Sequence, residues 1–273
     1  MNICKHTLIL VLIFSLSSCR NEKNDIKTDT IASDLQVDHF NIWVKNPKKV
    51  KERLTDIGFT AVPDSLSKIH HGQGTTGRYF YFLNSYLELI FVYDNNEFDT
   101  NNQLNNTLDF AERANFEKNG ASPFSIALKL EDYDIKKIPF EKIKYHQDWM
   151  EEKSSIYSAK NSKTHLKEPS VFVVYPEIES NTFETLSDLN DIEEKYAFVR
   201  EWYKHKNGAK RITNIVITST SLDLKTKTIK VLNGIENLTI KGGKEHLMEL
   251  YFDHNVQGEV FDLRPELPLI VYL

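Results

Sequence analysis

Two cysteines stand in 273 residues, Cys4 and Cys19. Two cannot make a disulfide framework. Glycine and proline are also sparse, 10 and 8 residues, which excludes a collagenous or low-complexity chain. Positive charge is not in excess: 34 Lys and Arg face 39 Asp and Glu, for a net charge of −5 and a pI near 6.0. That balance gives no electrostatic reason to expect a nucleic-acid partner. No apolar run approaches the roughly 20 residues that a membrane-spanning helix needs. What is present is a 40% hydrophobic, 27% charged chain, enough for one large domain or two small ones with an ample core.

The longest apolar run is Thr7 to Leu16, behind Lys5 and His6. It reads as the core of an export signal. It stops at Leu16-Ser17-Ser18-Cys19, which resembles a bacterial lipobox. The resemblance implies cleavage after residue 18, lipidation of Cys19, and a membrane partner reached through the acyl chains. Cys4 leaves with residues 1–18, so no free thiol remains for catalysis or metal ligation. Residues 19–35 are polar and aperiodic and read as a tether with about 20 Å of r.m.s. reach. Arg20, where the enteric pattern places Asp for inner-membrane retention, points to the outer membrane.

Val37 to Val44 alternates as a strand, with Phe40, Ile42 and Val44 on one face and His39, Asn41 and Trp43 on the other. A helix follows, with Asn46 as cap, Pro47 at its first position, Gly58 at its end, and Val50, Leu54 and Ile57 as its buried stripe. Arg78 to Phe82 and Tyr86 to Val92 read as a hairpin around Asn84-Ser85. A further strand is expected near residues 59–69. Arg211 to Thr218 and His246 to Phe252 repeat the first strand and Tyr86 to Val92, which aligns Asn214 with His39 and Glu249 with Glu88. A fainter middle unit opens at Phe124 to Leu130 and closes at Ser170 to Tyr175. An amphipathic helix over 185–204, capped by Thr185 and Asp188, is expected as an insertion.

The order Asp38-His39, Ile57-Gly58-Phe59, His70-His71-Gly72-Gln73-Gly74-Thr75 and Tyr86-Leu87-Glu88-Leu89, then His205-Lys206-Asn207-Gly208-Ala209, resembles the glyoxalase-like branch of the vicinal oxygen chelate superfamily. The resemblance implies an α+β fold of repeated βαβββ units forming a cupped mixed sheet. It divides the chain into a glyoxalase-like region over 36–178, the inserted helix over 179–204, and a further unit over 205–273. It implies His39 and Glu88 as ligands of a divalent ion (Zn, Fe, Mn or Ni), and His70, Thr75, Arg78, Trp43, His205 and Asn207 as ligand-binding residues. Such an ion would polarise vicinal oxygens of a small-molecule substrate, in a lyase, isomerase or dioxygenase. Two departures stand against a full metal set. Tyr175 falls where the family often has a carboxylate, and the middle unit opens with Phe124 and Ser125 rather than a histidine.

The residues alone leave alternatives open. His39 is a metal ligand or a core histidine paired with Asp38. Glu88 is a ligand, a general base raised by burial, or the partner of Arg78. Glu249 is a second base or a surface carboxylate. His205 with Asn207 is a pocket element or a helix cap. The corresponding functions are a metalloenzyme, a metal-free cup that sequesters a small hydrophobic or aromatic compound, or a scaffold for a protein partner.

Overall fold

The computed structural model describes residues 34–174 and 180–273. The export signal, Cys19, most of the tether, and Tyr175 lie outside the described residues. Among the described residues no helix is long and apolar enough to cross a membrane.

The described residues open on β1 (Leu35–Trp43), so the expected tether gives way to a buried strand at Leu35. Helix α1 (Pro47–Asp56) starts where Pro47 and the Asn46 cap predict, the Asn46 side chain accepting from the Lys49 N–H. Between residues 59 and 69 the chain is mostly irregular. The strand expected there shrinks to β2 (Ile69–His70). The hairpin forms from β3 (Thr75–Phe82) and β4 (Ser85–Val92). Three helices follow, α2 (Asn95–Leu104), α3 (Phe110–Ala114) and α4 (Phe116–Asn119). The middle unit contributes β5 (Phe124–Leu130), β6 (Lys142–Tyr145), β7 (Ile156–Ala159) and β8 (Ser170–Val173).

These strands form one eight-stranded sheet in the order β2-β3-β4-β1-β5-β8-β7-β6. β1 runs parallel to β4, β5 runs parallel to β8, and the two units meet at the antiparallel β1·β5 seam. The first and middle units are therefore the pair that closes the cup. This is the α+β architecture with a curled mixed sheet that the resemblance implies.

The remaining strands are β9 (Ile212–Thr220), β10 (Leu238–Gly243), β11 (Leu247–Phe252), β12 (Val260–Asp262) and β13 (Leu269–Tyr272), with α5 (Lys227–Leu232) between the first two. Their order, β10-β9-β11-β13-β12, with β9 parallel to β10, antiparallel to β11, and β11 parallel to β13, repeats β4-β1-β5-β8-β7. The C-terminal region is thus a reduced copy of the whole paired sheet, not one further unit. β11 takes the place of β5, which undoes the alignment of Glu249 with Glu88.

One apolar core lies between the two sheets. Phe40, Ile42, Leu87 and Leu89 enter it from the first sheet, Ile217, Leu250 and Val271 from the second, and Val50, Leu54, Ile229 and Leu232 from α1 and α5. Phe252 reaches across to Phe59 and Phe82 at ring distances of 5.3 and 4.7 Å. The period-two alternation that feeds this core turns the other face of β1 and β4 inward to the cup.

The helix expected over 185–204 is replaced by two 3-10 segments, Leu186–Asp191 and Glu194–Tyr203. Ile192 and Glu193 are extended between them, which breaks the α-helical register. The Thr185–Asp188 capping box forms. Leu189 and Tyr203 are buried against Leu83, while Tyr196 is exposed.

Candidate functional site

The concave face of the first sheet encloses a cavity of about 410 Å³. His39, Asn41 and Trp43 of β1 and Tyr86, Glu88 and Ile90 of β4 line it, as their strand faces require. The opposite wall comes from Ser125, Ser158 and Phe172. Val199, Trp202 and Tyr203 of the second 3-10 segment close one side.

At the floor, His39 Nδ1 meets Asp38 Oδ1 at 2.5 Å. Adjacent strand residues normally face apart. Here the β1·β5 register shifts between Val37 and His39, at Asp38, next to the pair. Burial alone would raise the Asp38 carboxyl, but His39 and the Ser180 backbone N–H and hydroxyl outweigh it and hold it below its usual value. An ionised carboxylate only accepts, so His39 carries its proton on Nδ1 and offers Nε2 to the cavity. The imidazole stacks on Tyr86 at 4.2 Å.

Glu88 pairs with Asn41 across the parallel strands and is 4% exposed. Its Oε1 and Asn41 Oδ1 have no hydrogen-bond partner among the described residues. Burial pushes the Glu88 carboxyl up to about 7, against weaker pulls from His39 and the Tyr79 hydroxyl. Gly77 makes room for it: a Cβ there would collide with Glu88 Oε1 and sit 2.7 Å from the Tyr79 ring. Gly77→Ala is expected to displace the Glu88 carboxylate and to weaken ligand binding more than it lowers Tm, which parallel titration and melting would show.

His70 lines the cavity as a neutral base, pushed down to about 3 by burial and by Lys68 and His39. Thr75 does not reach the cavity. Its hydroxyl accepts from Gln73 Nε2 and pairs with His70 Nδ1, so it positions His70.

The other expected residues stand elsewhere. Arg78 pairs with Asp64 and lies over Phe91 outside the cup, so it is no partner of Glu88. Glu249 sits on the second sheet, bonded to Lys241 and to the hydroxyls of Tyr251 and Tyr272, which leaves it no role at the cavity. His205 accepts from the Thr60 N–H, donates to the Tyr81 carbonyl, and is wedged against Phe59 and Phe82. Asn207 donates to the Ile57 carbonyl, and its Cβ would be 2.8 Å from one built on Gly58. The His-Lys-Asn-Gly-Ala motif is therefore a clasp on the Ile-Gly-Phe motif, apart from the pocket. His205→Ala is expected to cost roughly 2 kcal/mol of stability in a denaturation curve while leaving ligand affinity unchanged.

Some lining residues had no sequence signal. Lys68, Arg113 and Trp149 lie in or beside irregular segments whose apolar spacing has no period.

A resident divalent ion does not fit the described donors. A catalytic site of this kind uses three protein ligands. His39 and Glu88 supply two, Ser125 and Phe172 stand on the facing strands, and no group of three or more His, Cys, Asp or Glu gathers among the described residues.

Residues 37–232 match the family model described as a glyoxalase-like domain. Among solved structures, a hypothetical protein from Staphylococcus aureus aligns with a TM-score of 0.50 at 13% identity, over 87% of this chain and 98% of that one. A methylmalonyl-CoA epimerase in complex with methylmalonyl-CoA and NH4+ aligns at 0.35 and 16% identity, over 54% of this chain and 99% of that one. A Streptomyces coelicolor methylmalonyl-CoA epimerase variant in complex with 2-nitronate-propionyl-CoA aligns at 0.34 and 16%, over 52% and 97%. No curated protein matches.

Proposed function

The chain belongs to the glyoxalase-like domain family, and from that premise we propose that it is a proton-transfer enzyme acting on a small oxygenated molecule held in the cup. The observation that carries this is Glu88: buried, unpartnered at Oε1, facing a ligand-sized cavity, and raised to about 7. A carboxylate poised near neutral pH is suited to take a proton from a carbon next to a carbonyl. His39, oriented by Asp38, would exchange a proton at the adjacent oxygen through Nε2. The reaction class is isomerisation or elimination, run by the chain's own side chains.

A second reading is binding without turnover. The aromatic lining of Trp43, Tyr79, Tyr86 and Phe172 favours it, since such walls hold planar compounds by area alone. Export with a lipid anchor at Cys19, toward the outer membrane, is part of the proposal and is supported by the lipobox resemblance. Labelling with a fatty-acid analogue and its loss in Cys19→Ser would test that part.

The catalytic part is tested by incubating the protein in D2O with a set of neutral dicarbonyls and hydroxyketones and following C–H exchange by proton NMR. Exchange with at least one compound, falling at least about a hundredfold in Glu88→Gln, supports the enzyme. Compounds that raise Tm without any exchange support the binding protein instead.

A further inference from the structure

Among the described residues the cup holds polar groups without partners, and they are segregated by type. On the floor are two acceptors, Asn41 Oδ1 and Glu88 Oε1. Elsewhere in the lining is Trp149, whose Nε1 can only donate and is buried with no acceptor among the described residues. Beside it lies Lys68, whose Nζ is 4.5 Å from the centroid of the Trp149 ring. Burial lowers the Lys68 ammonium, and the charge of Glu151 acts against that.

The other cationic groups are committed. Arg113 gives its N–H groups to Asp109 and to the carbonyls of Ser122, Ser162, Leu166 and Glu168. His70 is neutral and lies between the two ends. Its ring is 4.8 Å from Trp149, and its Nε2 is 3.4 Å from the hydroxyl of Tyr79, the cross-strand partner of Glu88. Among the described residues of the lining, Lys68 is therefore the cation still open to a ligand.

We infer that Lys68 and Trp149 form a carboxylate subsite, and that the substrate class is a small oxo- or hydroxy-carboxylic acid with its acid group there and its reacting carbon at Glu88. The inference rests on the reading of the cup as the ligand site. One ammonium and one indole N–H supply a single positive charge and two donor directions. That matches the two oxygens of a monoanion. A phosphate dianion would leave charge uncompensated in a partly desolvated site. The floor acceptors then meet the hydroxyl or acidic C–H of the ligand.

The test uses two unreactive probes that differ in charge, 3-phenylpropanoate and 3-phenylpropanamide, titrated against the protein at low ionic strength. The acid is expected to bind about tenfold tighter than the amide, the effect of one charge-assisted contact. The preference should shrink at high salt and vanish in Lys68→Met, an exposed position where the change leaves the fold intact. Trp149→Phe, which keeps a ring and removes the donor, should lower it severalfold. Equal affinity for the two probes, no saturable binding of the acid, or a preference that survives Lys68→Met would each overturn the inference. Because neither probe reacts, those results leave the exchange test with neutral dicarbonyls standing on its own.

Discussion

Glu88→Gln is expected to make the protein more stable above pH 7 while abolishing the proton transfer proposed for the cup. The folded-state carboxyl titrates at about 7 against an ordinary value of 4.5, with burial as the main cause. A carboxyl raised on folding is at no disadvantage below about pH 4.5, where both states are protonated. Its contribution is lost as pH rises from there through 7, because the folded state must ionise a buried group. The full loss is about 3 kcal/mol. Glutamine is isosteric and cannot ionise, so denaturation curves of the two proteins should converge near pH 4.5 and separate in favour of Glu88→Gln by pH 8. Coinciding curves across that range would mean that Glu88 ionises freely, and would remove the basis for its role as a base. The acid side behaves oppositely. His70 and His205 are held neutral by burial, at about 3 and about 4, so stability is lost as pH falls from 6.5 toward those values. The wild-type protein should therefore be most stable in mildly acidic to neutral buffer.

Arg113→Met is expected to cost the most stability of any single change on the cup wall. The guanidinium is 1% exposed and bonds to Asp109 at 2.7 Å, besides four backbone carbonyls from residues 122, 162, 166 and 168. It pins the loops of the middle unit to α3. Methionine fills similar volume but leaves Asp109 as an uncompensated buried charge beside Ser170. Breaking a buried pair from one side typically costs 3–5 kcal/mol. Since whole domains are stable by only about 5–15 kcal/mol, the variant should melt far below wild type or fail to accumulate. Arg113→Lys should recover little, because one ammonium cannot replace a planar fork. A change in midpoint equivalent to less than about 1 kcal/mol would show that water replaces the lost contacts.

The strand faces were legible because alternation writes them directly: Phe40 and Ile42 against His39 and Asn41, Leu87 and Leu89 against Glu88. The ends of α1 were legible from Asn46, Pro47 and Gly58, each with a local backbone reason. What resisted reading had no period. The cup walls at Lys68, Arg113 and Trp149 come from turns and short helices, where position depends on tertiary contacts. The 185–204 segment carries an apolar stripe that fits an α-helix, yet the extended Ile192 and Glu193 divide it into tighter turns. The C-terminal repeat was visible as similarity, but similarity does not say which strands pair. His205 and Asn207 were visible as a motif whose work is to hold a turn.

Both α-helical crossovers, α1 and α5, turn their buried residues into the core between the sheets, away from the hollow of the cup. A parallel pair such as β1 and β4 needs a crossover, and here it lies on the convex side. The hollow is bounded by loops, a short strand and short helical segments around residues 62–73, 108–113, 145–149 and 199–203. Apart from Arg113 and the buried Tyr203, residues of those stretches can be exchanged without disturbing the core between the sheets. The architecture thus separates inheritance from adaptation: descendants of this scaffold can change what they hold while keeping how they fold.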